Sequence, residues 1–239
     1  MRLTKSLASI AGAALCAPLA IAATSPELAD LAGRVHYGFY NGDARAIEAA
    51  QAGLDRQPDS VEALYYRDFA ALRRVQLGNA DRDASKRLEE CADREVDAEL
   101  HGVAAAEAWV LVAACAFVAD DDRRVVEALD QARANDDDHP RVALVEAWRV
   151  QRESGTEAAD NSEVGAAFEA AVAAFDAWTP SIDDPDWGNA EALVALGQVA
   201  LARGETRAAR DLMERALLIA PDYRLAVELR AKLQGNRAP

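Results

Sequence analysis

The chain has 239 residues and a formal net charge of −15 at pH 7, with 41 acidic against 26 basic side chains. Nucleic acids and anionic membrane surfaces bind proteins through basic patches, so this charge argues against both as partners. An acidic surface favours a basic protein partner through long-range attraction, and the simpler alternative is that it only keeps the protein in solution.

The first 22 residues have the pattern of a secretory signal peptide. Arg2 and Lys5 provide a positive start, and an apolar run without charge follows from position 6 to position 22. The run ends in Ala20-Ile21-Ala22, the small residues that a signal peptidase requires. A membrane anchor is the alternative, but it needs about 20 strongly apolar residues, and this run is shorter and rich in alanine. The sequence therefore predicts a periplasmic or secreted protein whose mature domain spans residues 23–239, without a membrane span after cleavage.

From residue 26 onwards, apolar residues recur at helical spacing in successive pairs of segments. The first pair covers residues 26–40 and 43–58, with Gly42 at the turn between them. The second pair begins at Ser60, and Gly78 marks its turn. Strand-like alternation of useful length is absent, so the pattern predicts an all-α fold.

The third pair includes Trp109 and has Asp120-Asp121-Asp122 at its turn instead of glycine. The fourth begins at Pro140, and the insertion TEAADNSE precedes its second helix. The acidic run at residues 120–122 is compatible with a calcium-binding loop or with the start of a helix. Calcium loops alternate oxygen ligands with other residues and include a glycine. We therefore interpret the acidic run as a cap for the next helix.

The fifth pair, residues 190–222, has the most specific pattern. It has a large apolar residue at Leu193, a Leu-Gly pair at Leu196-Gly197 and a turn glycine at Gly204. Two small residues, Ala209 and Ala216, and then Pro221 follow. This spacing resembles the tetratricopeptide repeat (TPR), a pair of helices of about 34 residues. A last amphipathic segment, residues 222–233, is typical of a helix that covers the end of an open array.

The resemblance implies a right-handed α-solenoid of about five TPR-like helix pairs plus a C-terminal capping helix. In the TPR family, the first helices of the pairs line a concave groove that receives a peptide or a partner's helix. Carried over to this sequence, the groove residues are Tyr65, Tyr66, Phe69, Arg73, Phe117, Arg149, Arg152 and Gln198. Aromatic and arginine side chains dominate many interfaces. The alternative for Tyr65, Tyr66 and Phe69 is that they fill the core between repeats.

Cys91 and Cys115 remain after signal cleavage, and two cysteines in an oxidising compartment can pair completely. The resemblance places them on neighbouring helices of the second and third pairs, which pack directly in a TPR array. A disulfide between them is therefore one interpretation. Two free thiols buried on alanine-rich helix faces are the other.

Motifs of known enzymes are missing from the sequence, which contains no HExxH, no GxSxG and no phosphate loop. The histidines His36, His101 and His139 lie far apart in sequence, whereas zinc needs three or four converging ligands. We therefore expect no catalysis, no metal and no cofactor. The leading hypothesis is a non-catalytic adaptor of the cell envelope that holds a protein segment. The alternatives are an enzyme or enzyme subunit with an unrecognised site, and a binder of a small ligand or glycan.

Export predicts that the mature protein begins at Ala23 or an adjacent residue, because the small residues before it suit signal peptidase. N-terminal sequencing of protein from the periplasmic fraction measures this. Intact chain that begins at Met1 and remains in the cytosol would contradict export.

Overall fold

A computed structural model describes residues 25–155, 162–181 and 184–235. This part of the chain forms eleven α-helices and no β-strand, which confirms the predicted all-α class. The helices are α1 (Pro26–Asn41), α2 (Ala44–Leu54), α3 (Val61–Gln76), α4 (Arg82–Ala92), α5 (Gly102–Val118), α6 (Asp122–Asn135), α7 (Pro140–Glu153), α8 (Ser162–Ala177), α9 (Asn189–Ala202), α10 (Thr206–Ile219) and α11 (Arg224–Gly235). The predicted signal peptide, residues 1–22, lies outside the described residues. Among the helices described, none is long and apolar enough to cross a bilayer.

Consecutive helices pack against each other along the whole described chain. A second set of contacts joins alternate helices, because α1 contacts α3, α3 contacts α5 and α5 contacts α7. These four helices are hereafter the inner row. The first and last helices also meet, since α1 contacts α11 and the ring of Tyr40 lies 4.9 Å from that of Tyr223.

The first helix of each pair is followed by a residue in the left-handed backbone conformation. These residues are Gly42 (φ 69°), Gly78 (φ 79°), Asp120 (φ 60°), Gly155 (φ 55°) and Gly204 (φ 76°). Glycine adopts this conformation without steric cost, and aspartate tolerates it better than most residues. Asp121 then caps α6, because its Oδ1 accepts the backbone N–H of Arg124 at 3.0 Å. The capping interpretation of the acidic run is therefore confirmed for Asp121.

Helices α9 and α10 approach closely in the pair with the most specific sequence pattern. Ala209 and Ala216 of α10 are buried. A Cβ atom at Gly197 of α9 would collide with the terminal methyl group of Met213. Gly197 therefore lies directly against α10, with Ala209 and Leu212 at ordinary contact distance.

Three arginines bind the C-terminal ends of helices that precede them in the chain. The last carbonyls of a helix lack partners within the helix and attract positive charge. Arg67 donates to the carbonyls of Leu54 and of Gln57 just beyond α2, and Arg124 donates to those of Ala92 and of Arg94 just beyond α4. Arg152 donates to the carbonyl of Phe117 at the end of α5. These hydrogen bonds link α2 to α3, α4 to α6 and α5 to α7.

Cys91 of α4 and Cys115 of α5 form a disulfide, and both are fully buried. Their Cα atoms lie 5.9 Å apart, within the ordinary range for such a bridge. The bond joins two helices that also pack directly against each other. The structure thus has the pairing that the resemblance implied.

Reduction of this disulfide should lower the free energy of unfolding, because the bridge restricts the unfolded chain over a sequence separation of 24 residues. The expected loss is roughly 3 kcal/mol. Urea unfolding followed by circular dichroism, with and without reductant, measures it. The double variant Cys91→Ala, Cys115→Ala is the matched control, since its unfolding midpoint should not depend on reductant. Equal midpoints for oxidised and reduced wild-type protein would contradict the prediction.

Candidate functional site

Helices α3, α5 and α7 of the inner row meet at one buried carboxylate, that of Glu107 in α5. Its Oε2 accepts a hydrogen bond from Arg141 Nη1 at 2.9 Å, and Nε2 of His139 lies 3.1 Å from the same oxygen. Its Oε1 accepts hydrogen bonds from Trp187 Nε1 at 3.0 Å and from the Tyr65 hydroxyl. Glu107 is only 5% exposed, so water does not solvate its charge. The four neighbouring groups stabilise the carboxylate in place of water.

A second buried carboxylate, that of Glu191, joins α9 to the inner row. Glu191 forms an ion pair with Arg73 of α3 and accepts a hydrogen bond from the Tyr40 hydroxyl of α1 at 3.1 Å. Its Oε2 also accepts the backbone N–H of Gly188 at 2.7 Å. Glu191 lies in the first turn of α9, where the helix dipole favours a negative charge. One carboxylate thus connects three helices.

The connection between α8 and α9 places residues Asp184–Gly188, hereafter the tryptophan segment, against the inner row. Trp187 is 1% exposed, and its ring centroid lies 5.8 Å from that of Phe69. Arg141 binds the backbone of the segment, because its Nε donates to the Trp187 carbonyl at 2.9 Å and its Nη2 donates to the Pro185 carbonyl. The segment is therefore held by one aromatic side chain, by two of its carbonyl groups and by the backbone N–H of Gly188.

Two positive charges lie near the Trp187 ring. The guanidinium carbon of Arg73 is 5.3 Å from the ring centroid, and that of Arg141 is 5.2 Å from it. Cations at this distance from an indole are attracted by the negative face of the ring. The indole N–H also lies 2.8 Å from the Tyr65 hydroxyl. Trp187 therefore contacts both the cationic and the anionic members of the network.

Burial and the neighbouring groups determine the pKa of Glu107. Burial alone raises this pKa, but the Arg141 guanidinium, the His139 ring and the Tyr65 hydroxyl outweigh that effect and lower it to about 2. Burial, followed by the charge of Glu107, raises the pKa of Tyr65 well above its ordinary value. At neutral pH the pair is therefore a carboxylate that accepts a hydrogen bond from a neutral phenol.

Two of the expected groove residues are not exposed. Phe69 is 0% exposed and Arg73 is 1% exposed. The tryptophan segment packs over them, so the expectation of an open groove at this point is corrected. Tyr65 and Tyr66 are half-buried beside them, with ring centroids 5.2 Å apart. These four residues lie together on α3, in a filled site.

The other four expected groove residues lie apart from the Glu107 carboxylate. The Arg152 guanidinium stacks on Phe117 at 4.0 Å and pairs with carboxylates of the Asp120–Asp122 turn. Arg149 is held by two glutamates of its own helix. Gln198 is exposed on α9. Arg149 and Arg152 therefore make intramolecular ion pairs, and Gln198 remains accessible.

Sequence reasoning did not find the network formed by Glu107, Arg141, Glu191 and Trp187. One signal was present, because Glu107 is the single charged residue of the otherwise apolar helix α5. A lone charge in such a helix is costly unless it is paired. The other three have no local pattern that distinguishes them from surface residues.

The described part of the chain contains no group of three or more His, Cys, Asp or Glu side chains that could hold a metal ion. In comparisons with known proteins, no family model, curated protein or solved structure matches the chain. The chemistry of its own residues is therefore the guide to its function.

Acid should destabilise the fold in two stages. Burial lowers the pKa of His36 from 6.5 to about 3, and the charges of Arg73 and Arg141 act in the same direction. Below about pH 6.5 the unfolded chain thus binds a proton that the folded chain excludes, and stability falls by up to about 1.4 kcal/mol per pH unit. Glu107, whose pKa is lowered from 4.5 to about 2, adds a second loss below about pH 4.5.

Thermal unfolding as a function of pH measures both stages. The variant His36→Asn should lose the dependence between about pH 6.5 and pH 4.5. His101→Asn is the control, because His101 is exposed. A His36→Asn profile parallel to that of the wild type would contradict the assignment.

Proposed function

We propose that this chain is a non-catalytic adaptor of the cell envelope, a right-handed TPR-like α-solenoid of about five helix pairs with a C-terminal capping helix. The left-handed residue that recurs after the first helix of each pair supports the repeat. Contacts between alternate helices of the inner row support stacking of the pairs. The contact of Gly197 with α10 and the burial of Ala209 and Ala216 support the likeness to TPR proteins.

Two observations support export. Residues 1–22 have the charge, apolar run and small residues of a signal peptide. The chain also forms a buried disulfide, and disulfides persist mainly in oxidising compartments. Both are expected of a protein of the cell envelope.

The tryptophan segment is the observation that carries the binding role. The inner row holds this non-helical stretch through a buried aromatic side chain and through hydrogen bonds to its carbonyls. Buried aromatic anchors and hydrogen bonds to an extended backbone are the means by which proteins recognise peptides. The inner row thus has groups that can bind a segment of a protein through an aromatic side chain and through backbone carbonyls.

The state of Glu107 favours an adaptor over an enzyme. A general acid or base works best when its pKa lies near the working pH. The pKa of Glu107 is lowered to about 2, and its oxygens are already engaged by Tyr65, Arg141 and Trp187. Glu107 is therefore a fixed charge that positions other side chains. The net charge of −15 further favours a basic partner.

A photo-crosslinking residue at Gln198, an exposed position of the expected groove, tests the adaptor role in the full-length chain produced in its own host. The matched control is the same residue at Lys86, which is exposed on α4. We expect a discrete crosslinked protein from position 198 and none from position 86, with less product at high salt because salt screens attraction between exposed charges. Identical products from both positions, or none from either, would contradict the proposal.

A further inference from the structure

The last described helix, α11, repeats the sequence positions through which α9 packs against α10. Val227 and Ala231 of α11 follow Leu193 and Gly197 of α9 by 34 residues each. In α9 these positions are covered, because Leu193 is 1% exposed and Gly197 lies directly against α10. In α11 both are exposed. No helix of the described part of the chain covers Val227 and Ala231, which are hereafter the unpaired face of α11.

Exposed apolar side chains are concentrated at this end of the protein. Among the described residues, eight large apolar side chains are exposed, and four of them lie between positions 218 and 227. These four are Leu218, Ile219, Leu225 and Val227. A helix that only closes an array needs a polar outer face, because that face meets solvent. A concentration of exposed apolar residues is instead typical of a surface that another protein covers.

The contact between α9 and α10 shows which kind of element fits the unpaired face. The buried residues of α10 are Ala209, Met213 and Ala216, which lie on one side of that helix. The terminal methyl group of Met213 occupies the place where a Cβ atom of Gly197 would lie. Ala231 adds only a methyl group at the corresponding position of α11, so a second helix can approach it closely. The element that fits is therefore an amphipathic helix with small residues on its apolar side.

The charge around the unpaired face is opposite to that of the rest of the chain. Residues 203–239 contain eight basic and five acidic side chains, whereas residues 1–202 contain 18 basic and 36 acidic ones. Arg224 and Arg230 flank the unpaired face on its two sides, because successive residues of a helix are about 100° apart. Arg224 pairs with Glu228 of its own helix, whereas Arg230 forms no ion pair with a described residue. A negatively charged helix therefore complements this surface.

We propose that the unpaired face binds an acidic amphipathic helix of a partner protein, and that this helix packs on α11 as α10 packs on α9. The face lies on the side of α11 away from its buried residues Ala226, Leu229 and Leu233. It is therefore a second interaction surface, beyond the function proposed for the inner row. The inner row favours a basic partner and α11 an acidic one, so the chain holds two different proteins at once.

The test uses the full mature chain and fluorescein-labelled peptides derived from α10, whose sequence is TRAARDLMERALLI. The probe peptide has glutamate in place of the three arginines, which retains the apolar side and reverses the charge. Fluorescence anisotropy measures binding at low salt. We expect the probe to bind at least about tenfold more tightly than the unmodified peptide, because only the probe complements Arg224 and Arg230. A scrambled probe of the same composition, without an apolar side, should not bind.

Two substitutions on α11 assign the binding to the unpaired face. Val227→Asn should weaken probe binding at least about tenfold, whereas Val126→Asn, at an exposed valine of α6, should leave it unchanged. Ala231→Leu should also weaken it, since a larger side chain holds the helices apart although it adds apolar surface. All three positions are exposed, so circular dichroism should show unchanged helicity. Tighter binding by Ala231→Leu, or equal binding by the two valine variants, would overturn the proposal.

Sedimentation of the mature chain without peptide distinguishes a partner helix from a second copy of the chain. A dimer that Val227→Asn dissociates, together with absence of probe binding, would show that a second copy covers the face and would overturn the proposal. Absence of both the dimer and probe binding would overturn it as well.

The crosslinking at Gln198 separates this surface from the inner row. Crosslinking that persists in Val227→Asn, while probe binding is lost, would support two independent surfaces. Loss of both in this variant would assign them to one site and overturn the second surface. Probe binding without any crosslinking from Gln198 would retain the unpaired face and reject the function proposed for the inner row.

Discussion

A single negative charge in the interior, that of Glu107, constrains the rest of the structure. A carboxylate removed from water is tolerated only when hydrogen-bond donors and positive charge replace the solvent. Its partners come from α3, from the start of α7 and from the connection before α9. Loss of one partner of such a buried pair typically costs about 3–5 kcal/mol. The buried charge therefore stabilises the arrangement of helices that brings all of its partners together.

This constraint changes how an array of helix pairs is stabilised. In an open array each pair contacts only its neighbours, and stability is close to a sum of local terms. Here the Tyr65 hydroxyl and the indole of Trp187 meet across 122 residues of sequence, and Tyr40 meets Glu191 across 151. Such contacts make distant pairs dependent on one another. Unfolding of the part of the chain between residues 25 and 235 should therefore be more cooperative than that of an open array.

Local rules were sufficient to predict the helices and much of their pairing. Gly42, Gly78 and Gly204 marked turns because few other residues adopt the left-handed conformation, and the small residues at Ala209 and Ala216 marked a close helix contact. The network was not predictable in the same way, because its members are remote in sequence and have no common period. An aromatic residue on the first helix of a pair is also equally compatible with an exposed groove and with a groove that another part of the chain covers. Only the position of Trp187 decides between the two for Phe69.

The contact between α1 and α11 has a consequence for how a chain of this kind can change in length. An open row of repeats gains or loses a unit at little cost, because the new unit only needs a neighbour on one side. Here an added pair would separate Tyr40 from Tyr223 and move Glu191 away from α1. A duplication or deletion of one pair would thus expose the rings of Tyr40 and Tyr223 and would also remove partners from the Glu191 carboxylate. The contact between the two ends therefore opposes the insertion or loss of helices between them.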